Sequence, residues 1–454
     1  MILNMVGGRG GTSINGILQE YVIKDGETIS AGDFVEFVHS GFGLNASTGG
    51  SINGVASAVY HIAACALSNN KIFLAYDKGY CCIVTIDGAA VSVSTPTQMH
   101  TQYVGDVAKL SDDKVLLATG SINNNGKNVT YFSVISIGAD ETLTAGTVVQ
   151  TIAGNGSAIC SLVVLDETSA ACAALGIDGT TYSSTTVYYP YIHGLNIQGT
   201  AITITAQTKL LSLYKPEYAD PPIVCKVNNH RIAVIYNLGK VDSDASQVHL
   251  STYDLNGGVL SSAVTIMLYN NSMEYTNGLS CAYLQDNYIC TLHVPTNSSG
   301  YQNSCVVRVY ECTGTAITQK AATTVSRPNG FQSYTWIKSI SLLDGSCIFV
   351  NNSSGYADRF VYNGSAITRS EAVSVYDPSS GYNMTACTNS APVVIGRNIV
   401  LFKGASTSLI NYLTYPQEVT TEVKAVSEKI SGVAKANGVG GDIIEIITHE
   451  VEVI

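Results

Sequence analysis

At 454 residues the chain is longer than one ordinary domain, so it either divides into two or three or grows by repeating a unit. Only 13% of residues are charged and Tyr numbers 27 against a single Trp, which, with abundant Val, Ile, Thr, Ser and Asn, is the composition of strands and polar turns. The formal charge of −11, with no clustered Lys or Arg, excludes a surface that tracks phosphates, so no nucleic-acid partner is expected. No apolar run approaches the roughly 20 residues of a membrane helix, and the start "MILNMVGGRGG" has neither the basic nor the apolar region of a secretory leader, so no membrane association is expected.

The first predicted elements follow a Gly-rich start, "VGGRGGTSING". From Tyr21 to Val38, "YVIKDGETISAGDFVEFV" alternates as strands broken by turns at Asp25-Gly26 and Ala31-Gly32. A different pattern then begins, in which an apolar strand ends in a polar turn and a second strand follows at once. "LSNNKIFLAY" starts it at Leu67, and the pattern returns at Leu110, Leu165, Val227, Leu284, Leu343 and Ile395. The intervals are 43, 55, 62, 57, 59 and 52 residues, with the variation in the loops. A second marker stands late in three copies: "QGTAIT" at 198–203, "TGTAIT" at 313–318 and "NGSAIT" at 363–368. Its Gly is expected to supply the positive φ of a hairpin turn, and Ala-Ile-Thr restarts the strand.

Each copy reads as four antiparallel strands, shown plainly by "HIAACAL", "KIFLAY", "CCIVTI" and "AVSVST" in the first. Four strands repeated seven times at intervals of this size predict an all-β chain whose repeats form a β-propeller of seven four-stranded blades. The last copy lacks a clear fourth strand after "SLINYLTY", so either a strand is lent from near Gly49 to Ala58 to close the ring or the last unit stays three-stranded. The 12 Cys show no CxxC spacing and stand where small apolar strand residues fit, which predicts reduced thiols used as core residues and folding in a reducing cytoplasm.

Beyond the repeats, "KISGVAKANGVGGDIIEIITHEVEVI" from Lys429 to Ile454 alternates as strands again, with a turn at Gly440-Gly441. Gly32-Asp33-Phe34-Val35 near the start, and Gly432-Val433-Ala434 with Gly438, Gly441 and Ile444 near the end, resemble the two halves of small β-domains in tailed-bacteriophage virion proteins, notably capsid-cement and head-fibre proteins. The resemblance covers about 45 of the 454 residues. It implies a virion-docking domain made from both termini (residues 1–43 and 420–454) with the propeller (44–419) inserted, several copies per particle, other virion structural proteins as partners, and the Gly-rich start as an arm along a neighbouring subunit.

In a propeller the turns joining strands one to two and three to four lie on one face, and the other connections lie on the opposite face. Here the first set is short, and the second contains "SINNNGKN", "LGKVDSDAS", "PTNSSGYQNS", "LYKPEYADPP" and "SRPNGFQSYTW". Long loops gathered on one face point to binding, and their Tyr, Asn, Ser and Asp suit carbohydrate, because rings stack on sugar faces while amides and carboxylates take hydroxyl hydrogen bonds. Tyr214, Tyr218, Tyr275, Tyr334, Trp336 and Tyr382 are the candidate contacts. The eight His residues show no paired metal-ligand spacing and no nucleophile or phosphate-loop string occurs, so neither catalytic residues nor a metal or cofactor is expected; Asp242 and Asp244 in "VDSDAS" have a spacing that could touch Ca²⁺, but Asp-x-Asp is common in loops. The expectation is a non-enzymatic virion surface protein presenting its loop-rich face to bacterial surface polysaccharide. A virion-associated glycan-degrading enzyme and a purely structural cement protein are the alternatives.

Overall fold

The computed structural model describes residues 48–416 except 54–60, 88–89, 122–127, 177–180, 183–184, 187, 211–221, 239–245, 272–273, 298–299, 302–303, 327–336, 343–344, 352–355, 375–389, 396–397 and 405–408; of the two ends it describes the strands named below. The chain divides into two compact units, Leu44–Pro416 and the two ends Met1–Gly43 with Gln417–Ile454.

The larger unit contains seven sheets, each built on four antiparallel strands in up-and-down order, and a separate two-stranded ribbon of Thr181–Tyr182 and Thr185–Thr186. The first is Ile62–Ala66, Lys71–Tyr76, Tyr80–Asp87 and Ala90–Val93, which matches the four strands read from the first repeat. The first strands of the sheets are Ile62–Ala66, Tyr103–Ser111, Cys160–Asp166, Ile223–Asn228, Glu274–Gln285, Ile337–Ser341 and Ser390–Ile395. Each packs against the next in this order, and the seventh packs against the first. That circuit makes the unit a seven-bladed β-propeller with the first strands around its axis.

Closure is by a borrowed strand. The seventh blade takes three strands from the end of the unit, Ser390–Ile395, Asn398–Gly404 and Leu409–Pro416, and its outermost strand is Thr48–Asn53, antiparallel to Leu409–Pro416. Chain segments from both ends of the unit thus share one sheet.

The second strands explain why the repeats read as unbroken apolar runs. In "KIFLAY", Ile72, Leu74 and Tyr76 belong to the core shared with the seventh blade, whereas Phe73 and Ala75 belong to the core shared with the second. A strand buried on both faces has no polar side to alternate with. The same division continues around the ring, as with Ala170, Cys172 and Ala174 against Ala171 and Ala173 in the third blade. Ten of the eleven described cysteines are buried and all eleven are free thiols, taking the place of small core residues. Burial pushes thiols such as Cys82 up to about 12, so they stay protonated and apolar.

The repeated hairpin phrase has two physical origins. Gly199 and Gly364 have φ of +66° and +93°, as expected of a tight turn, and a Cβ at either would meet nothing within 4 Å. Gly314 is not among the positive-φ glycines; a Cβ there would lie 3.0 Å from a terminal guanidinium nitrogen of Arg231 in the preceding blade. The middle copy therefore keeps Gly for space. Gly364→Ala is expected to cost about 1 kcal/mol in a thermal or urea melt, and Gly364→Asn less, because only backbone strain is introduced. Equal losses for both would contradict strain as the cause.

One repeat anchor also shifts. Leu342, not Leu343, donates its backbone N–H to Ser346 O (2.8 Å), as Leu67 does to Lys71 O (2.8 Å), so the sixth blade starts one residue earlier than the sequence pattern places it.

The two ends form the smaller unit, a closed barrel of five strands. Gly16–Ile23 runs antiparallel to Ile443–His449 and parallel to Thr420–Ala425; Phe34–Ser40 pairs antiparallel with Thr420–Ala425 and Gly432–Ala434; Gly432–Ala434 joins Ile443–His449. Thr28–Ile29 and Gly438–Val439 add a small ribbon. Neither end can close the barrel alone, since two of its strands come from the start of the chain and three from the end.

Candidate functional site

The first strand of each blade leaves one edge toward the axis, and strand register assigns one equivalent position per blade there. Ala63 lies opposite Ala75, Asp106 opposite Ala118, Ser161 opposite Ala173, Ile223 opposite Ile235, Ser280 opposite Leu292, Lys338 opposite Val350 and Ala391 opposite Phe402. All seven line one cavity of about 200 Å³, the axial channel.

Asp106 and Lys338 are the two charged members of that ring. The Asp106 carboxylate accepts the Val107 N–H at Oδ1 (3.0 Å) and the Leu162 N–H of the next blade at Oδ2 (2.8 Å). Lys338 Nζ reaches from the sixth blade to within 4.0 Å of Asp106 Oδ1, with about a fifth of each side chain exposed (19% and 18%). The Ser161 hydroxyl accepts the Val224 N–H (3.3 Å), and Ser339, one residue beyond Lys338, donates its hydroxyl to Cys281 O (2.7 Å). Most of the channel's polar side chains therefore tie one blade's backbone to its neighbour's. Ser280 Oγ, buried on the same lining, has no hydrogen-bond partner. A single carboxylate already facing an ammonium does not supply the pair of carboxylates that glycoside hydrolysis uses.

A second polar cluster has the outline of a nucleophile and its base. His100 Nε2 lies 2.7 Å from Ser133 Oγ, and its Nδ1 lies 2.9 Å from Thr119 Oγ1. Ser133 and Thr119 are both 0% exposed, however, and the group orienting the imidazole is a hydroxyl rather than a carboxylate. His100 comes from the segment entering the second blade, so the cluster braces that entry against the blade's second and third strands. Burial keeps the imidazole below its usual pKa, so it is neutral at pH 7.

The six sequence-predicted contacts lie almost wholly beyond the described parts of the structure. Tyr214, Tyr218, Tyr334, Trp336 and Tyr382 fall outside the described residues. Tyr275 stands near the start of the fifth blade's first strand, where its backbone is opposite Thr296. Asp242 and Asp244 are likewise outside, and among the described residues no group of three or more His, Cys, Asp or Glu is placed to hold a metal ion.

No protein-family model matches the chain, and no curated protein matches it. Among solved structures, a chain of the crystal structure of the mitotic checkpoint complex is similar over 83% of this chain and 97% of that chain, at 12% identity and a TM-score of 0.45.

Asp106 and Lys338 did not emerge from loop composition, but they were reachable from the repeat. Counting four residues back from Leu67, Leu110, Leu165, Val227 and Leu284 gives Ala63, Asp106, Ser161, Ile223 and Ser280, all on the axis. The same count from Leu343 gives Ser339, and only the corrected anchor Leu342 gives Lys338.

Proposed function

We propose that the chain is a non-enzymatic surface protein of a bacteriophage particle, present in several copies, that docks through its terminal barrel and presents the loop-rich propeller face to bacterial surface polysaccharide. The observation that carries this reading is the division of the chain. Both ends pair in one small barrel, with the whole ring inserted between Phe34–Ser40 and Thr420–Ala425, so the chain has one element suited to docking and another suited to display. The resemblance of the barrel's sequence to capsid-cement and head-fibre domains supplies the particle, and the Tyr- and Asn-rich loops supply the ligand class.

A single exposed stacking site of this kind gives about millimolar affinity, roughly −4 kcal/mol. Copies held together on a particle raise effective binding by about 10² to 10⁴ with no new contact. Multimerised protein is therefore expected to bind bacterial cell walls that the isolated chain barely holds, with Tyr275→Ala and Tyr334→Ala reducing that binding. Failure of the multimer to bind a panel of cell walls would leave the cement reading in its place. Release of reducing ends from host polysaccharide would favour the hydrolase.

A further inference from the structure

Of the arginines described in the propeller, Arg231 and Arg369 each sit on a carboxylate, with Arg231 Nε 2.7 Å from Asp254 and Arg369 Nε 2.9 Å from Asp358. Arg308, half-buried on the third strand of the fifth blade (Ser304–Cys312), has none; its Nη1 donates to His293 Nδ1 at 3.2 Å. Because that nitrogen accepts, the imidazole proton resides on Nε2, and Nε2 is buried without a partner. Thr291, directly opposite Arg308 on the neighbouring strand and 0% exposed, also has a hydroxyl without a partner. A guanidinium, an imidazole N–H and a hydroxyl thus share one face of the blade, with no acceptor answering their remaining hydrogens.

That face meets the fourth blade, whose outermost strand brings the half-buried ring of Tyr269 to within 5.4 Å of the His293 ring. One imidazole therefore touches both the cation and the aromatic ring. Burial, together with the Arg308 charge beside it, keeps His293 neutral, so it adds no competing cation.

We propose that the boundary between the fourth and fifth blades binds a carboxylate-bearing sugar at Arg308, the guanidinium taking the carboxylate and the Tyr269 ring lying beside the sugar. The proposal rests on the glycan reading above and narrows it to acidic polysaccharide. A guanidinium fork matches a carboxylate bidentately, and a neighbouring ring adds the apolar contact that a sugar face needs. In a chain of formal charge −11, long-range attraction cannot recruit such a ligand, so recognition must come from local donors.

The test is titration calorimetry of the full chain at constant ionic strength with sodium glucuronate, acetate, inorganic phosphate and glucose, repeated with Arg308→Gln and Tyr269→Ala. Expected is saturable millimolar binding of glucuronate, weaker binding of acetate and none of glucose. Arg308→Gln should lose at least tenfold in glucuronate affinity, and Tyr269→Ala should bring glucuronate down to the level of acetate. Arg308→Gln breaks no ion pair and keeps an amide donor for His293 Nδ1, so its melting temperature should fall little; a fall of several degrees would mark Arg308 as structural and overturn the site. Phosphate binding more tightly than glucuronate would overturn the sugar carboxylate in favour of a phosphate-bearing polymer. Glucuronate binding that is absent, or unchanged in Arg308→Gln, would sink the proposal, and if multimers of that variant still hold cell walls as wild type does, the glycan reading survives without this site. Glucuronate binding with no cell-wall binding would instead sink the display function and keep the site.

Discussion

Replacing Ile52 by Asp is expected to open the ring at the seventh blade. Ile52 is 5% exposed and sits on the borrowed strand Thr48–Asn53, in a core with Val400 and Phe402 of its own blade and Ile62, Leu74 and Tyr76 of the first. A charge there would be buried without a partner, at a cost of about 3 kcal/mol or more. Once the strand leaves, the outward edge of Leu409–Pro416 loses its pairing along the whole run from Thr48 to Asn53. The expected readout is fast hydrogen exchange in Leu409–Pro416 with protection kept in blades three to five, which touch neither end. Asn53→Asp, on the exposed side of the same strand, should change stability by less than about 0.5 kcal/mol. Ile52→Asp melting like wild type, with 409–416 still protected, would show that the ring does not depend on the lent strand.

That dependence was legible in the sequence as an absence. A seventh repeat ending at "SLINYLTY" with no fourth strand, and an unassigned stretch upstream of the first repeat, left one way to complete a four-stranded blade. The blades were legible because a strand buried on both faces is apolar throughout, and seven such runs at similar spacing need one shared explanation. The site was less legible. At the axis, side chains of opposite sign come from the second and sixth blades, more than 200 positions apart, and nothing local to Asp106 announces Lys338. Nothing in the sequence around Arg308 sets it apart from the other arginines, because the lack of a carboxylate beside it is a fact of packing. Gly314 shows the opposite limit: the repeated phrase is real, but one sequence pattern serves a backbone dihedral at two sites and a neighbour's guanidinium at the third.

Acid should unfold the propeller well above the pH at which its carboxylates protonate. Five described histidines are buried with their pKa lowered, and for three the shift is large: His61 against Tyr103, His193 between Tyr191 and Phe132, and His293 beside Tyr269 and Arg308. Burial pushes His61 and His193 down to about 4 and His293 to about 3, from the ordinary 6.5. Between those values the unfolded chain takes up a proton that the folded chain refuses, so stability is full above about pH 6.5 and is lost as pH falls toward 4. Each such residue contributes a slope of about 1 to 1.5 kcal/mol per pH unit, and three together roughly 4 kcal/mol per pH unit. A margin of about 5–15 kcal/mol is then consumed before the carboxylates titrate. Asp113, Asp140, Asp166 and Glu311 are held below their usual range in the folded chain, so their contribution is lost only at still lower pH. Near-UV circular dichroism on acidification should therefore show a cooperative loss of signal between about pH 4 and 5.5, in a range set by these histidines. His193→Phe, which keeps an aromatic ring between Tyr191 and Phe132, should move the midpoint down by several tenths of a pH unit and make the transition shallower. A midpoint below pH 4 in the wild type, or one unmoved by His193→Phe, would mean that the buried imidazoles do not govern acid stability and that carboxylate protonation does.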